Sequence, residues 1–357
     1  MTTKVLFILK RREDYNPIQH SPKGLSTGLF NSATFMQNML NNLGIEAVLE
    51  VAIDNNDIDR LVTLHKPTHV IIEALWVVPT KFAVLIPLHP TVNWIIRLHS
   101  EMPFMAGEGI AMDWVGEYIK YPEIIIGVNA PRMLEEIRIY LATTTDHTTE
   151  ETESRIVYLP NYYPQKYTKK VYKPTNKYRG EKYWVDVACF GAIRLLKNHM
   201  VQALAAIKYC NHHGKQLRFH VNIGRLEMQG SPVLNNLRGM FEQLSDYGYQ
   251  LIGHDWAPRD DFLVTCGEMD VGLQVNFSET FNIVSADLIS QGVPIVGSSE
   301  IPWSSRLFNA RATESDEIFH AMSRAIEFPK TNVYLNQRNL TKYTNKTEKI
   351  WSKYFKE

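Results

Sequence analysis

The chain has 357 residues, enough for two domains that each bury a core. Lys+Arg and Asp+Glu are both 38, so global charge argues for no partner, and a nucleic-acid role would need a local basic patch. Composition is 45% hydrophobic, and the three cysteines, Cys189, Cys210 and Cys266, are far apart with no metal spacing, and read as reduced, buried thiols of a cytoplasmic protein.

The amino terminus, MTTKVLFILKRRE, has an apolar core too short for a signal peptide, and no apolar run approaches the ~20 residues of a membrane span. Val5 to Leu9 reads as a buried strand. A polar loop, Tyr15 to Gly28, closes on Gly24-Leu25-Ser26-Thr27-Gly28, and a helix is expected over Leu29 to Leu43. Ile45 to Val51 follows as a strand. This order is Rossmann-like without the Gly-x-Gly-x-x-Gly fingerprint, and the loop reads equally as a ligand-facing or an ordinary flexible segment. Strand and helix then alternate: helix 57–65, strand 68–74, helix 79–88, strand 92–98, helix 109–120, strand 124–128, helix 130–141 and strand 156–159. His99 lies just past the fourth strand, where ligands bind in open α/β sheets, although a lone histidine is more often structural. The segment 143–154 is polar and acidic and reads as surface loop. Pro160-Asn161 marks the domain exit.

Residues 162–184, YYPQKYTKKVYKPTNKYRGEKYW, interleave lysines and aromatics. A solvated interdomain linker accounts for them. So does a groove in which Lys166, Lys169, Lys170, Lys173 and Lys177 pair with phosphates while Tyr167, Tyr172 and Tyr178 stack on bases.

The second half opens with strand 185–190, Gly191 and the run Ala192-Ile193-Arg194-Leu195-Leu196-Lys197-Asn198, then helix 200–209, strand 217–223, helix 232–244 and strand 249–253, which ends at His254-Asp255-Trp256. Helix 259–266 leads to the most informative stretch, MDVGLQVNFSETFNIVSADLISQGVPIVGSSEIPW from Met269. It reads as strand 271–275, a turn through Asn276, Phe277 and Ser278, a helix opened by Glu279 and ended at Gln291-Gly292, and strand 293–296. In that reading the N–H groups of Thr280, Phe281 and Asn282 form an anion site at the helix mouth. Glu279 and Asp287 share one helix face, where a carboxylate can accept from vicinal hydroxyls, although on these two residues alone an N-cap substitute and a solvated helix residue are the favoured reading. Helices 314–327 and 332–357 complete the chain.

The string S-E-T-F-N-I-V-x-A-D-x-I-x-x-G-V-P-I-V-G resembles the donor-binding segment of retaining glycosyltransferases of the GT-B fold, in the family-four group of glycogen synthases and mannosyltransferases. The first-domain strings Lys-Arg-Arg-Glu-Asp-Tyr, Gly-Leu-Ser-Thr-Gly-Leu and Arg-Leu-His-Ser-Glu-Met-Pro-Phe resemble phage-encoded members. The resemblance implies an α/β architecture of two Rossmann-like domains facing a central cleft: residues 1–160 on the acceptor side, linker 161–184, residues 185–330 holding the nucleotide-sugar, and a last helix, 331–357, crossing back to the first domain. It implies a nucleotide-diphosphate sugar as donor substrate, no cofactor and no metal. It gives Glu279 the sugar hydroxyls, Asp287 the ribose (where the family usually has Glu), Arg194 and Lys197 the leaving diphosphate, and His99 the sugar. Gly28, Gly191, Ser278, Thr280, Phe281 and Asn282 would lie against the donor, and His254 and Trp256 against its base. The acceptor is a hydroxyl, with hydroxymethylated pyrimidine in phage DNA one expectation and a glycan or lipid another. A sugar-nucleotide epimerase and a non-catalytic nucleotide-sugar or nucleic-acid binder are the alternatives from other classes.

Overall fold

The computed structural model describes residues 3–11, 27–144, 150, 154–167 and 184–356. The chain forms two compact units, residues 1–164 with 344–357, and residues 165–343.

The first unit contains the strands β1 Lys4–Lys10, β2 Glu46–Ala52, β3 His69–Glu73, β4 Asn93–Leu98, β5 Ile124–Val128 and β6 Ile156–Tyr158. They form a six-stranded parallel sheet in the order β2-β1-β3-β4-β5-β6. Strands such as Val5–Leu9 and Trp94–Leu98 are buried continuously rather than alternately, as expected of a parallel sheet covered on both faces. Helices Asp57–His65, Phe82–Leu88, Ala111–Tyr118 and Pro131–Thr144 supply the core of one face, which includes the fully buried Trp94 of β4. Helix Thr27–Asn42 covers the other face, joined by the end of the last helix, Pro329–Lys356, through Trp351 and Phe355. Trp351 Nε1 donates to the Pro160 carbonyl at 2.9 Å, and its ring centroid is 6.2 Å from that of Phe7.

The second unit contains the strands β7 Trp184–Ala188, β8 Gln216–Asn222, β9 Tyr249–His254, β10 Val271–Gln274 and β11 Ile295–Gly297. They form a five-stranded parallel sheet in the order β11-β10-β7-β8-β9. Helices His199–His213, Gly230–Gln243 and Ser315–Glu327 build one core with these strands. The first half of the last helix belongs to this unit: Asn332 exchanges two hydrogen bonds with the backbone of Ile295, at 3.0 and 2.8 Å. β10 places Gly272 under helix Ile283–Ser290, where an added Cβ would stand 2.4 Å from Leu288 Cδ1. The small residue lets helix and strand pack closely.

Two expectations are corrected here. The helix expected to open at Glu279 begins at Ile283, because Asn282 is left-handed (φ 61°) and the helix cannot run through it. Asn282 is instead the N-cap, its side-chain oxygen accepting from Ser285 N at 2.8 Å. Gly28, expected in a loop, sits in the first turn of helix Thr27–Asn42, and a Cβ there would meet nothing within 4 Å.

Candidate active site

The carboxyl ends of β7 and β10 carry the residues of interest in the second unit. Past β7 the chain turns at Gly191 (φ 111°), whose N–H donates to Asn222 Oδ1 at 2.8 Å. Ile193 exchanges backbone hydrogen bonds with Arg225 and Glu227, which clamps the loop to the segment after β8. The next helix starts hard against this loop: a Cβ on Gly230 would lie 2.1 Å from the Ile193 carbonyl oxygen. The turn Leu195–Lys197 ends at Asn198, left-handed at φ 56°, whose amide donates to the carbonyls of Val275 (3.0 Å) and Ala312 (2.7 Å). Gln202 donates to the Lys197 carbonyl at 2.7 Å and accepts from Val275 N at 2.8 Å. Asn198 and Gln202 thus fix the Lys197 backbone against the end of β10. Neither stood out in the sequence, where each reads as an ordinary polar residue of a helix start.

The structure brings Lys197 and Glu279 together, Nζ to Oε2 at 2.5 Å, with side chains 10% and 12% exposed. Glu279 Oε2 also accepts from Asn276 (3.1 Å) and Asn282 (3.3 Å), and Oε1 from Thr280 N (3.3 Å). Burial alone would raise the Glu279 carboxyl. The charges of Lys197 and Arg194, with the hydrogen bonds from Lys197 and Thr280 N, outweigh it and hold the group below its usual range. Gly191 lies alongside: a Cβ added there would stand 3.9 Å from Lys197 Cε and from Val284. Arg194 reaches Glu227 at 3.0 Å, and Arg225 pairs with the other oxygen of the same carboxylate. Arg225 also lies 6.0 Å from the Trp256 ring centroid. Buried His199, the first residue of its helix, is pushed down to about 3 by burial and by Lys197 and Arg194, so it adds no charge.

Other expected site residues are placed differently. The Thr280 N–H is turned to Glu279, and the first-turn N–H groups of the helix are those of Ile283 and Val284. The Phe281 ring is buried, 6.0 Å from Trp303 and 5.5 Å from Tyr343. Ser278 is buried in the loop. Asp287 does not share a helix face with Glu279, which precedes the helix. Its carboxylate is buried and paired with Arg259 at 2.8 Å, a partner that sequence spacing does not reveal. His254 closes β9 and stacks on His220, ring centroids 5.1 Å apart.

In the first unit, β3 and β4 end on a second charged cluster. Arg97, fully buried, reaches both oxygens of buried Glu73 at 3.1 and 3.2 Å, the Leu159 carbonyl and Asn161. His99 Nε2 is hydrogen-bonded to Glu73 Oε2. Burial, and secondarily Arg97, lowers the His99 pKa against the pull of Glu73, so the imidazole is neutral. Burial opposes ionisation of Glu73, and Arg97 with His99 overcomes it. Ala74, directly after Glu73, is left-handed at φ 70°.

Of the linker residues, Lys166 is exposed. Tyr167 is half-buried, its hydroxyl 3.1 Å from Thr341 Oγ1, so it is not an open stacking face. Lys169, Lys170, Tyr172, Lys173, Lys177 and Tyr178 lie outside the described residues. Among the described residues no cluster suits a metal ion, and no helix is long and apolar enough to cross a membrane.

No protein-family model and no curated protein matches the chain. Solved structures do. A UDP-forming trehalose-phosphate synthase from Burkholderia xenovorans aligns at TM-score 0.66 and 10% identity, covering 99% of this chain and 98% of its own. A trehalose-6-phosphate synthase analysed for glycosyltransfer with retention aligns at 0.66 and 12%, covering 99% and 93%. An Anabaena protein in complex with UDP and glucose aligns at 0.59 and 10%, covering 98% and 97%. The chain has the GT-B fold. At these identities the likeness is one of architecture.

Proposed function

We propose that the protein is a glycosyltransferase that moves a sugar from a nucleotide-diphosphate sugar to a hydroxyl, with retention at the anomeric carbon. The observation that carries this is the Lys197–Glu279 pair, clamped at the carboxyl ends of β7 and β10 beside Gly191. Breaking the sugar–phosphate bond puts negative charge on the leaving diphosphate. Lys197 and Arg194 are cations already held in place to receive it, without reorganisation at the moment of reaction. Glu279, kept ionised, is an acceptor for sugar hydroxyls. The retaining chemistry named for a structural neighbour supports the stereochemical part of the reading. The two cations do the work a divalent ion would otherwise do on a diphosphate.

Two of the neighbours named above are trehalose-phosphate synthases and none is named as a family-four enzyme, so the reading is set at the level of the fold and donor class. For the acceptor, hydroxymethylated DNA keeps only exposed Lys166 among the described linker residues, and a glycan or other small hydroxyl is the broader class. The test gives purified protein a panel of nucleotide sugars, each with hydroxymethylated DNA, unmodified DNA and simple saccharides, and follows nucleoside diphosphate release and product mass. Release with none of the donors would overturn the proposal. Donor turnover without any acceptor product would point to an epimerase or hydrolase instead.

A further inference from the structure

His254 is backed by a chain of hydrogen bonds that no motif announces. Its Nε2 lies 2.8 Å from His220 Nδ1, and His220 Nε2 lies 3.0 Å from Asp186 Oδ1. Arg218 closes the chain, donating through Nη2 to Asp186 Oδ2 at 2.7 Å with Nε 2.6 Å from Oδ1. Asp186 and His220 are buried, and Phe190 fixes the His254 ring edge-on at 5.5 Å.

The order of protons follows from the inventory of donors and acceptors. A guanidinium only donates, so Asp186 faces Arg218 as a carboxylate. A carboxylate only accepts, so His220 Nε2 carries the hydrogen. With a single hydrogen on its ring, His220 has none left for Nδ1. Its Nδ1 is therefore an acceptor, and His254 Nε2 must donate to it. His254 Nδ1 is left bare. The other charged groups near this chain are Asp255, next to His254, and Asp270, which accepts from the Asp186 N–H at 2.8 Å.

We propose that Asp186 and His220 are positioning residues that lock His254 in the Nε2–H tautomer, so that its Nδ1 accepts a hydrogen bond from a nucleobase with a protonated ring nitrogen. The ligand part rests on the donor reading above. Uracil and guanine present such a ring N–H; cytosine and adenine present a bare ring nitrogen at the same edge, which opposes a lone pair. Asp186→Asn is isosteric and inverts the order. Arg218 keeps the amide oxygen, the amide NH2 turns to His220 Nε2, and each imidazole passes its hydrogen to the other nitrogen. His254 Nδ1 then becomes a donor.

The experiment combines nitrogen-15 NMR of the histidine rings with calorimetric binding of UDP, GDP, CDP and ADP. In the wild-type protein at neutral pH, His254 should show a protonated Nε2 and an unprotonated Nδ1. UDP or GDP should bind on the order of 10-fold more tightly than CDP and ADP, the size expected when one buried hydrogen bond is made rather than opposed. Asp186→Asn should swap the two His254 signals and erase that preference. A purely packing role for Asp186 would lower stability without swapping them. The wild-type spectrum decides the tautomer even if the variant fails to fold: a protonated His254 Nδ1, or two fully protonated rings, overturns the proposal. Equal affinity for the four nucleotides, with the expected spectrum, overturns the assignment of the ligand. Binding of none of them overturns the donor reading itself, which the spectrum does not touch.

Discussion

Lys197→Ala separates the structural from the chemical role of the buried pair. Removing the ammonium leaves the Glu279 carboxylate with Asn276, Asn282 and Thr280 N as donors but no counter-charge. A buried charge fully orphaned costs ~3–5 kcal/mol; with three donors left, the expected loss is about 2 kcal/mol. Its pH dependence has a definite sign. The folded-state pKa of Glu279 is depressed, so the stability from the pair is fully present above the unfolded value of about 4.3 and is lost as pH falls below it through the folded value. The stability gap between wild type and variant should therefore be full at neutral pH and close in that acid window. Urea denaturation across pH measures it. Glu279→Gln added to Lys197→Ala removes the stranded charge and should recover most of the lost stability. Turnover should not recover: it should stay down by on the order of 100-fold, the scale of losing one fixed transition-state contact. A double variant that is both stable and fully active would show the pair to be structural only, and the reasoning would fail.

Gly230→Ala should cost about 3 kcal/mol, since the new Cβ meets a backbone oxygen that cannot rotate away; a denaturation midpoint like that of wild type would contradict the packing described. Trp351→Ala should cost ~3–5 kcal/mol by emptying the core beneath β1 and freeing the Pro160 carbonyl, read by the same method on the intact chain. If Arg194 and Lys197 supply the cations, as proposed, excess EDTA should leave donor turnover unchanged; complete loss, restored by a divalent ion, would refute that. Glu73→Gln should remove the anion shared by Arg97 and His99 and strand the buried guanidinium, at about 3 kcal/mol, with a fall in thermal midpoint as the measurement.

The repeating architecture was legible because parallel strands buried on both faces write themselves as apolar runs such as Val271–Leu273 and Ile124–Val128, each punctuated by Gly, Pro or Asn. Of the last helix, the sequence shows a long basic amphipathic segment, and the structure shows how it is used: Asn332 bonds to β11 in one unit and Trp351 enters the core of the other. Local chemistry was harder to read. Ser-Glu-Thr-Phe looks like a helix start because small and acidic residues favour first turns, yet Asn282 tolerates the left-handed conformation better than most residues and moves the start to Ile283. Partners distant in sequence left no trace at all. Arg259 for Asp287, Glu227 for Arg194 and His220 for His254 each lie 28 to 34 residues away, and only the strand order places them side by side.

Those unforeseen partners change how donor binding should be understood. Arg194, Arg225 and Lys197 put three positive charges among side chains no more than 18% exposed, and Glu227 and Glu279 sit among them. Without the two carboxylates the unliganded loop would hold uncompensated cations in a poorly solvated place, a cost of several kcal/mol per charge. With them the cluster is internally satisfied, and under the proposed function a diphosphate would enter by exchange, its oxygens taking over donors that Glu227 and Glu279 now use. Binding would then be weaker than the cation count alone suggests, while the cations would need no ordering when charge develops on the leaving group. That is where fixed charge lowers a barrier rather than merely tightening a ground-state complex. Neutralising Glu227 as Gln should therefore tighten nucleoside diphosphate binding, measured by calorimetry, provided the loop still folds as judged by its denaturation profile. Weaker binding in a folded Glu227→Gln protein would mean that this carboxylate positions Arg194 rather than competing for it.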